Sequence, residues 1–159
     1  MKINRIISGG QTGADQGGLD AALGLLVDHG GYCPKGRPTE KGGTIPSKYN
    51  LVETTSADWL TRTEKNVQES DVTLIFSFGA VSGGSKRTVD FAKKHSKPYF
   101  CVDLHIDDKD DVIDFLNENF SDENITINVA GKRESKAQGI QLQVKDMMQK
   151  IIVEINKLR

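Results

Sequence analysis

Apolar positions along the chain alternate between short unbroken runs and stretches spaced three and four apart. Ile3 to Ile7 is a short apolar run and reads as a buried strand. Leu19, Ala22, Leu23 and Leu26 then recur at helical spacing up to His29. Thr12 with Asp15 three residues on has the capping-box form that starts such a helix. Gly31 to Cys33 is a weak second strand. From Pro34 to about Asn50, three prolines and three glycines predict a long irregular loop, a kind that is usually either functional or disordered. Asp58 to Glu69 reads as a helix with Trp59, Thr63 and Val67 on one stripe, and Val72 to Phe78 is the clearest strand of all.

The second half continues the alternation. A helix is predicted over Lys86 to His95 and a strand over Pro98 to Val102. Val112, Ile113, Leu116 and Phe120 mark a fourth helix, and Ile125 to Val129 is the last strand. Ile140, Val144, Met147, Ile151 and Ile155 mark a closing helix. Strands that are apolar throughout and alternate with helices predict a three-layer, doubly wound Rossmann-like α/β fold. Its mainly parallel sheet has about five strands, and one domain takes in residues 1–159. Ligands of such sheets bind at the carboxyl ends of the strands, beside the switch point.

Composition narrows the chemistry. With 159 residues, 36% hydrophobic and 27% charged, the chain fits one globular domain and has no run that approaches a membrane span. No secretion signal opens it, which favours the cytoplasm. Cys33 and Cys101 form no C-x-x-C pair, and three scattered histidines build no zinc site, so no protein-ligated metal is expected. A formal net charge of -1 argues against nucleic acid as a partner, because phosphate contacts demand clustered Lys and Arg.

Three loops after predicted strands are candidate anion sites. The first, Ser8 to Asp15, spells S-G-G-Q-T-G-A-D, and its Gly9, Gly10, Gln11, Thr12 and Gly13 precede a helix N-terminus. It is a degraded dinucleotide fingerprint, and Lys35 and Arg37 stand where a ribose-binding acid is expected, which disfavours an ordinary NAD enzyme. A tight turn that binds nothing is the plain alternative.

The second loop, Gly79 to Lys86, nearly spells a P-loop, but Ser85-Lys86 transposes its final pair, so no NTPase is expected. Gly83, Gly84 and Ser85 can still offer main-chain N–H groups to a phosphate. In the third loop, Asn128 to Ile140, Gly131, Lys132, Arg133, Ser135 and Lys136 bring donors and charge, although Ser135 also suits an N-cap and the charges also suit a solvated face. Lys35, Arg37 and Lys41 could close over the site as a lid. Arg62 and Asn66 share a helix face that either reaches the pocket or faces solvent.

The run I-S-G-G-Q-T-G-A-D, the G-Y-C-P-K-G-R loop, R-T-x-x-N-V-x-x-S-D-x-T-L-I from Arg62 to Ile75, and N-V-A-G-x-R-E-S-K-x-x-G-I together resemble the putative molybdenum carrier family. The resemblance covers about residues 4–148. It implies a Rossmann-like fold akin to lysine-decarboxylase-like phosphoribohydrolases and a bacterial DNA-processing protein. It also implies a ligand such as molybdenum cofactor, a pterin carrying a phosphate, and pairing of subunits into a homo-oligomer through surface helices.

Laid on the phosphoribohydrolase motif P-G-G-x-G-T-x-x-E, Gly83 and Gly84 match. Ser82 replaces the proline, Lys86 and Arg87 replace Gly-Thr, and Asp90 stands at the glutamate. A narrowed cradle and a shortened carboxylate weaken the case for hydrolysis. Two functions stay open. One is a carrier or sensor of a phosphorylated pterin or nucleotide derivative. The other is an enzyme cleaving the N-glycosidic bond of a nucleoside monophosphate, with Asp90 or Asp15 as acid/base group.

Overall fold

The computed structural model describes residues 1–158. Its main sheet has five parallel strands in the order β2-β1-β7-β5-β6. These are β1 (Lys2–Ile7), β2 (Asp28–Gly30), β5 (Val72–Ser77), β6 (Tyr99–Asp103) and β7 (Asn124–Gly131). The short strands β3 (Tyr32–Cys33) and β4 (Val52–Glu53) pair apart from it. The helices are α1 (Ala14–Gly24), α2 (Trp59–Gln68), α3 (Gly84–Lys94), α4 (Lys109–Asn119) and α5 (Ile140–Asn156). No helix among the described residues is long and apolar enough to cross a membrane.

The fold is the expected three-layer Rossmann-like arrangement. Every residue of β5 is buried, as a central strand covered on both faces requires. Helices α1, α4 and α5 pack together, while α2 packs against α3. Topology adds a point that periodicity does not reveal. The last strand, β7, lies in the middle, between β1 and β5. Counting from β7 as the first strand turns the order into 3-2-1-4-5, the first five strands of the doubly wound Rossmann order. The switch point then falls between β7 and β5.

Two expectations about local structure need correction. The weak strand at Gly31 to Cys33 is two pieces: Asp28–Gly30 joins the main sheet, and Tyr32–Cys33 leaves it to pair with β4. Helix α1 ends at Gly24, well short of His29, because Leu26 takes a left-handed backbone (φ 57°) and the chain enters β2.

The segment 34–50 is an ordered cap. Its Ile45 and Tyr49, with Leu51, form a second small core with Leu19 and Cys33 on α1 and β3. Tyr49 also hydrogen-bonds Asp20 of α1 through its hydroxyl. Hydrophobic burial and this bond tie down a stretch that has almost no regular structure of its own.

Candidate functional site

A cleft of about 570 Å³ opens at the carboxyl ends of the strands, at the switch point between β7 and β5. Gly9 and Gln11 after β1, Gly83 to Ser85 after β5, and Gly131 to Arg133 after β7 all line it. Helix α2 contributes Trp59, Arg62 and Asn66, so the space lies between α2, α3 and the end of β7. The volume falls within the ~300–1,000 Å³ usual for small-molecule sites.

An ion pair forms part of the wall. Arg62 Nη1 donates to Asp15 Oδ2 at 3.1 Å, and both residues are buried. The same Asp15 oxygen accepts the main-chain N–H of Gln11 at 3.2 Å. Burial pushes the Asp15 carboxyl above the ordinary aspartate range, against the opposing pull of Arg62. Gly9 makes this arrangement possible, because a Cβ there would occupy the volume of the Arg62 guanidinium. On its way the guanidinium passes the Trp59 ring, 5.3 Å from its centroid.

Two polar atoms of this wall have no acceptor within the protein: Gln11 Nε2 and Arg62 Nε. A buried donor left unpaired costs roughly 1–3 kcal/mol, so such atoms are rare and call for a reason. Both belong to residues lining the cleft. The remaining donors are cationic or belong to a helix end. Helix α3 begins behind Gly83 with no side chain capping it, so the first N–H groups, at Gly84 and Ser85 in the cleft lining, have no side-chain partner. Lys132, Arg133 and Lys136 stand at the rim. Lys132 Nζ reaches across to Ser82, donating to its Oγ at 2.7 Å.

The first loop is built differently from the phosphate cradle its sequence suggests. Its main-chain donors are already spent inside the protein. Gly10 N–H goes to Ser8 Oγ, Thr12 N–H to Gln11 Oε1, Gly13 N–H to Gln141 Oε1, and Ala14 N–H to Lys132 O. Gly10 faces Leu51 and Ile45 of the second core. Gly13, at φ 82°, lies so close to the Lys132–Glu134 backbone that any Cβ would collide with it. The Thr12–Asp15 capping box does not form either. Gly13 is the N-cap, Thr12 donates its hydroxyl to Glu40, and Asp15 turns to Arg62.

Other expected residues also fall outside the cleft lining. Arg37 donates to the carbonyls of Pro46 and Tyr49 and so braces its own loop, while Lys35 and Lys41 are exposed. None of the three lines the cleft. Ser135 does not cap α5: Gly139 is the N-cap, and Glu134 accepts the N–H groups of Gly139 and Gln141. Ser135 instead bonds Glu40, which also pairs with Arg133 at 3.4 Å. Asp90 is exposed on α3 and does not line the cleft, whereas Asp15 does. Arg62 and Asn66 turn inward, Asn66 being spent on both main-chain groups of Tyr32.

Sequence reasoning assigned Trp59 to a packing stripe and passed over Thr88 and Asn128, all of which line the cleft. A signal existed for Asn128. It is a polar residue in a strand that is otherwise apolar at its centre, and it is buried with Nδ2 donating to Thr73 Oγ1 at 3.2 Å.

Among solved structures, the chain is similar to a putative molybdenum carrier protein from Syntrophus aciditrophicus SB. The two share 38% identity over 95% of each chain, with a TM-score of 0.84. No curated protein matches it. The family model described as the circularly permutated YpsA SLOG family matches residues 6–152. A central strand contributed by the end of the chain agrees with that description. The chain therefore belongs to the circularly permutated YpsA SLOG family.

Proposed function

We propose that the protein binds a phosphate-bearing small molecule, a molybdenum cofactor-like pterin or a nucleotide derivative, and acts as its carrier or sensor. The observation that carries this reading is a cleft at the strand switch point that ends on the uncapped N-terminus of α3 and has Lys132 and Lys136 in its lining. The phosphate would sit against the N–H groups of Gly84 and Ser85 and the ammonium groups of Lys132 and Lys136, and the ring would lie inward. The groups present suit the phosphate and a polar ring. Among the described residues no three His, Cys, Asp or Glu side chains cluster to hold a bare metal ion. A carrier role for the Syntrophus protein is stated in its name and supports the same role here.

Glycosidic hydrolysis is the weaker reading. Asp90 lies away from the cleft lining, and Asp15 is engaged by Arg62 and by the Gln11 amide. The test is native mass spectrometry of protein made in a host that produces molybdenum cofactor. A retained phosphorylated ligand supports the proposal. Recovery of apo protein only, with no thermal shift from a panel of nucleotides and pterins, refutes it.

A further inference from the structure

The two helix ends that flank the cleft are chemically unlike. Helix α2 leads into the start of β5 and α3 follows its end, so both helices begin at the carboxyl edge of the sheet. The end of α3 has no side-chain cap. The end of α2 is already satisfied: Asp58 accepts the Leu60 N–H at 3.0 Å, and its carboxylate offsets the positive end of that helix. An anion is therefore favoured on the α3 side of the cleft.

What α2 offers instead is apolar. Trp59 and Leu60 occupy its first turn, both line the cleft, and they are 37% and 38% exposed. Neither joins either hydrophobic core, so the packing of the fold gives no reason for two large apolar side chains at this spot. The Trp59 ring is also held in place. The Arg62 guanidinium lies over it, 5.3 Å from the centroid, and is itself fixed by Asp15 at 3.1 Å. An indole braced in this way and open to a cleft accepts a second flat ring at little ordering cost.

Resting on the binding function proposed above, we infer that Trp59, flanked by Leu60, is the stacking platform for a flat heteroaromatic ring. The ligand then spans the cleft, with its ring against α2 and its phosphate against α3. Stacking tolerates differences between rings, so purines and pterins suit the platform equally, whereas a sugar phosphate without a ring forgoes it.

Calorimetric titration of the intact protein with guanosine monophosphate and with ribose 5-phosphate tests this, since the two share a ribose and a phosphate and differ in the ring. The nucleotide is expected to bind about tenfold more tightly or better. Trp59→Ala should bring it down to the level of ribose 5-phosphate without weakening ribose 5-phosphate itself, and Trp59→Phe should keep most of the advantage. Should Trp59→Ala fail to fold, the wild-type ratio and Trp59→Phe decide. Equal wild-type affinities, or a nucleotide advantage that survives Trp59→Ala, overturn the inference and leave the binding function standing. Binding of neither compound removes the inference together with the nucleotide form of the proposed function.

Discussion

Arg62 on α2 and Asp15 in the first turn of α1 form a buried ion pair 3.1 Å long, joining two elements that are 47 residues apart in the chain. Burying two charges costs several kcal/mol per ion, repaid only while both partners are present. Asp15→Asn keeps the shape and removes the counter-charge. It should lower stability in urea by about 3–5 kcal/mol. The double variant Asp15→Asn with Arg62→Met should recover much of that loss. A single variant as stable as the parent would show that the pair is not enclosed.

Gly9 and Gly84 both line the cleft but should respond oppositely to alanine. At Gly9 a methyl group competes with the Arg62 guanidinium, and overpacking of this kind costs roughly 1–3 kcal/mol. At Gly84 nothing lies within 4 Å and the residue opens α3. Alanine there should stabilise by about 0.4–1 kcal/mol through the unfolded state, yet weaken ligand binding by crowding the helix end. Thermal melts with and without ligand separate the two effects.

Glu40 links the cap segment to two turns at the carboxyl ends of the strands. Burial alone would raise its pKa, but hydrogen bonds from Ser135 and Thr12 and the charge of Arg133 hold it below the ordinary glutamate range. A depressed folded-state pKa gives stability that is present above the unfolded value, about 4.3, and is lost as the pH falls through the folded value. Wild type should therefore exceed Glu40→Gln in stability near pH 7, and the gap should close in acid. A gap that persists unchanged at pH 3 would contradict the assignment.

Trp59 is the chain's one tryptophan, and it lines the cleft beside Arg62. Its emission should change on ligand binding, saturating with the same Kd that calorimetry gives. Trp59→Leu should abolish the signal and weaken binding by a few-fold. Emission that stays flat while heat is released would place the ligand elsewhere.

The fold was legible in the sequence because burial on both faces leaves β5 apolar at its centre, and amphipathic spacing marks α4 and α5. The position of β7 was not, since strand order depends on contacts between distant segments. Glycine density correctly marked turns at the carboxyl ends of the strands. It could not tell a glycine that admits a ligand from one that admits protein. Gly10 and Gly13 serve Ile45, Leu51 and the Lys132–Glu134 backbone, and only the packed chain reveals this. Arg37 misled for a similar reason: a cation in a loop reads as a ligand contact until its carbonyl partners are seen.

Amide chemical shifts of ¹⁵N-labelled protein titrated with a nucleoside monophosphate test most directly whether separate turns serve one anion. The account predicts that the amides of Gly84, Ser85 and Gly131 and the side-chain N–H groups of Gln11 and Arg62 shift together along one saturating curve. Shifts confined to a surface away from these residues, or curves with unrelated midpoints, would contradict it.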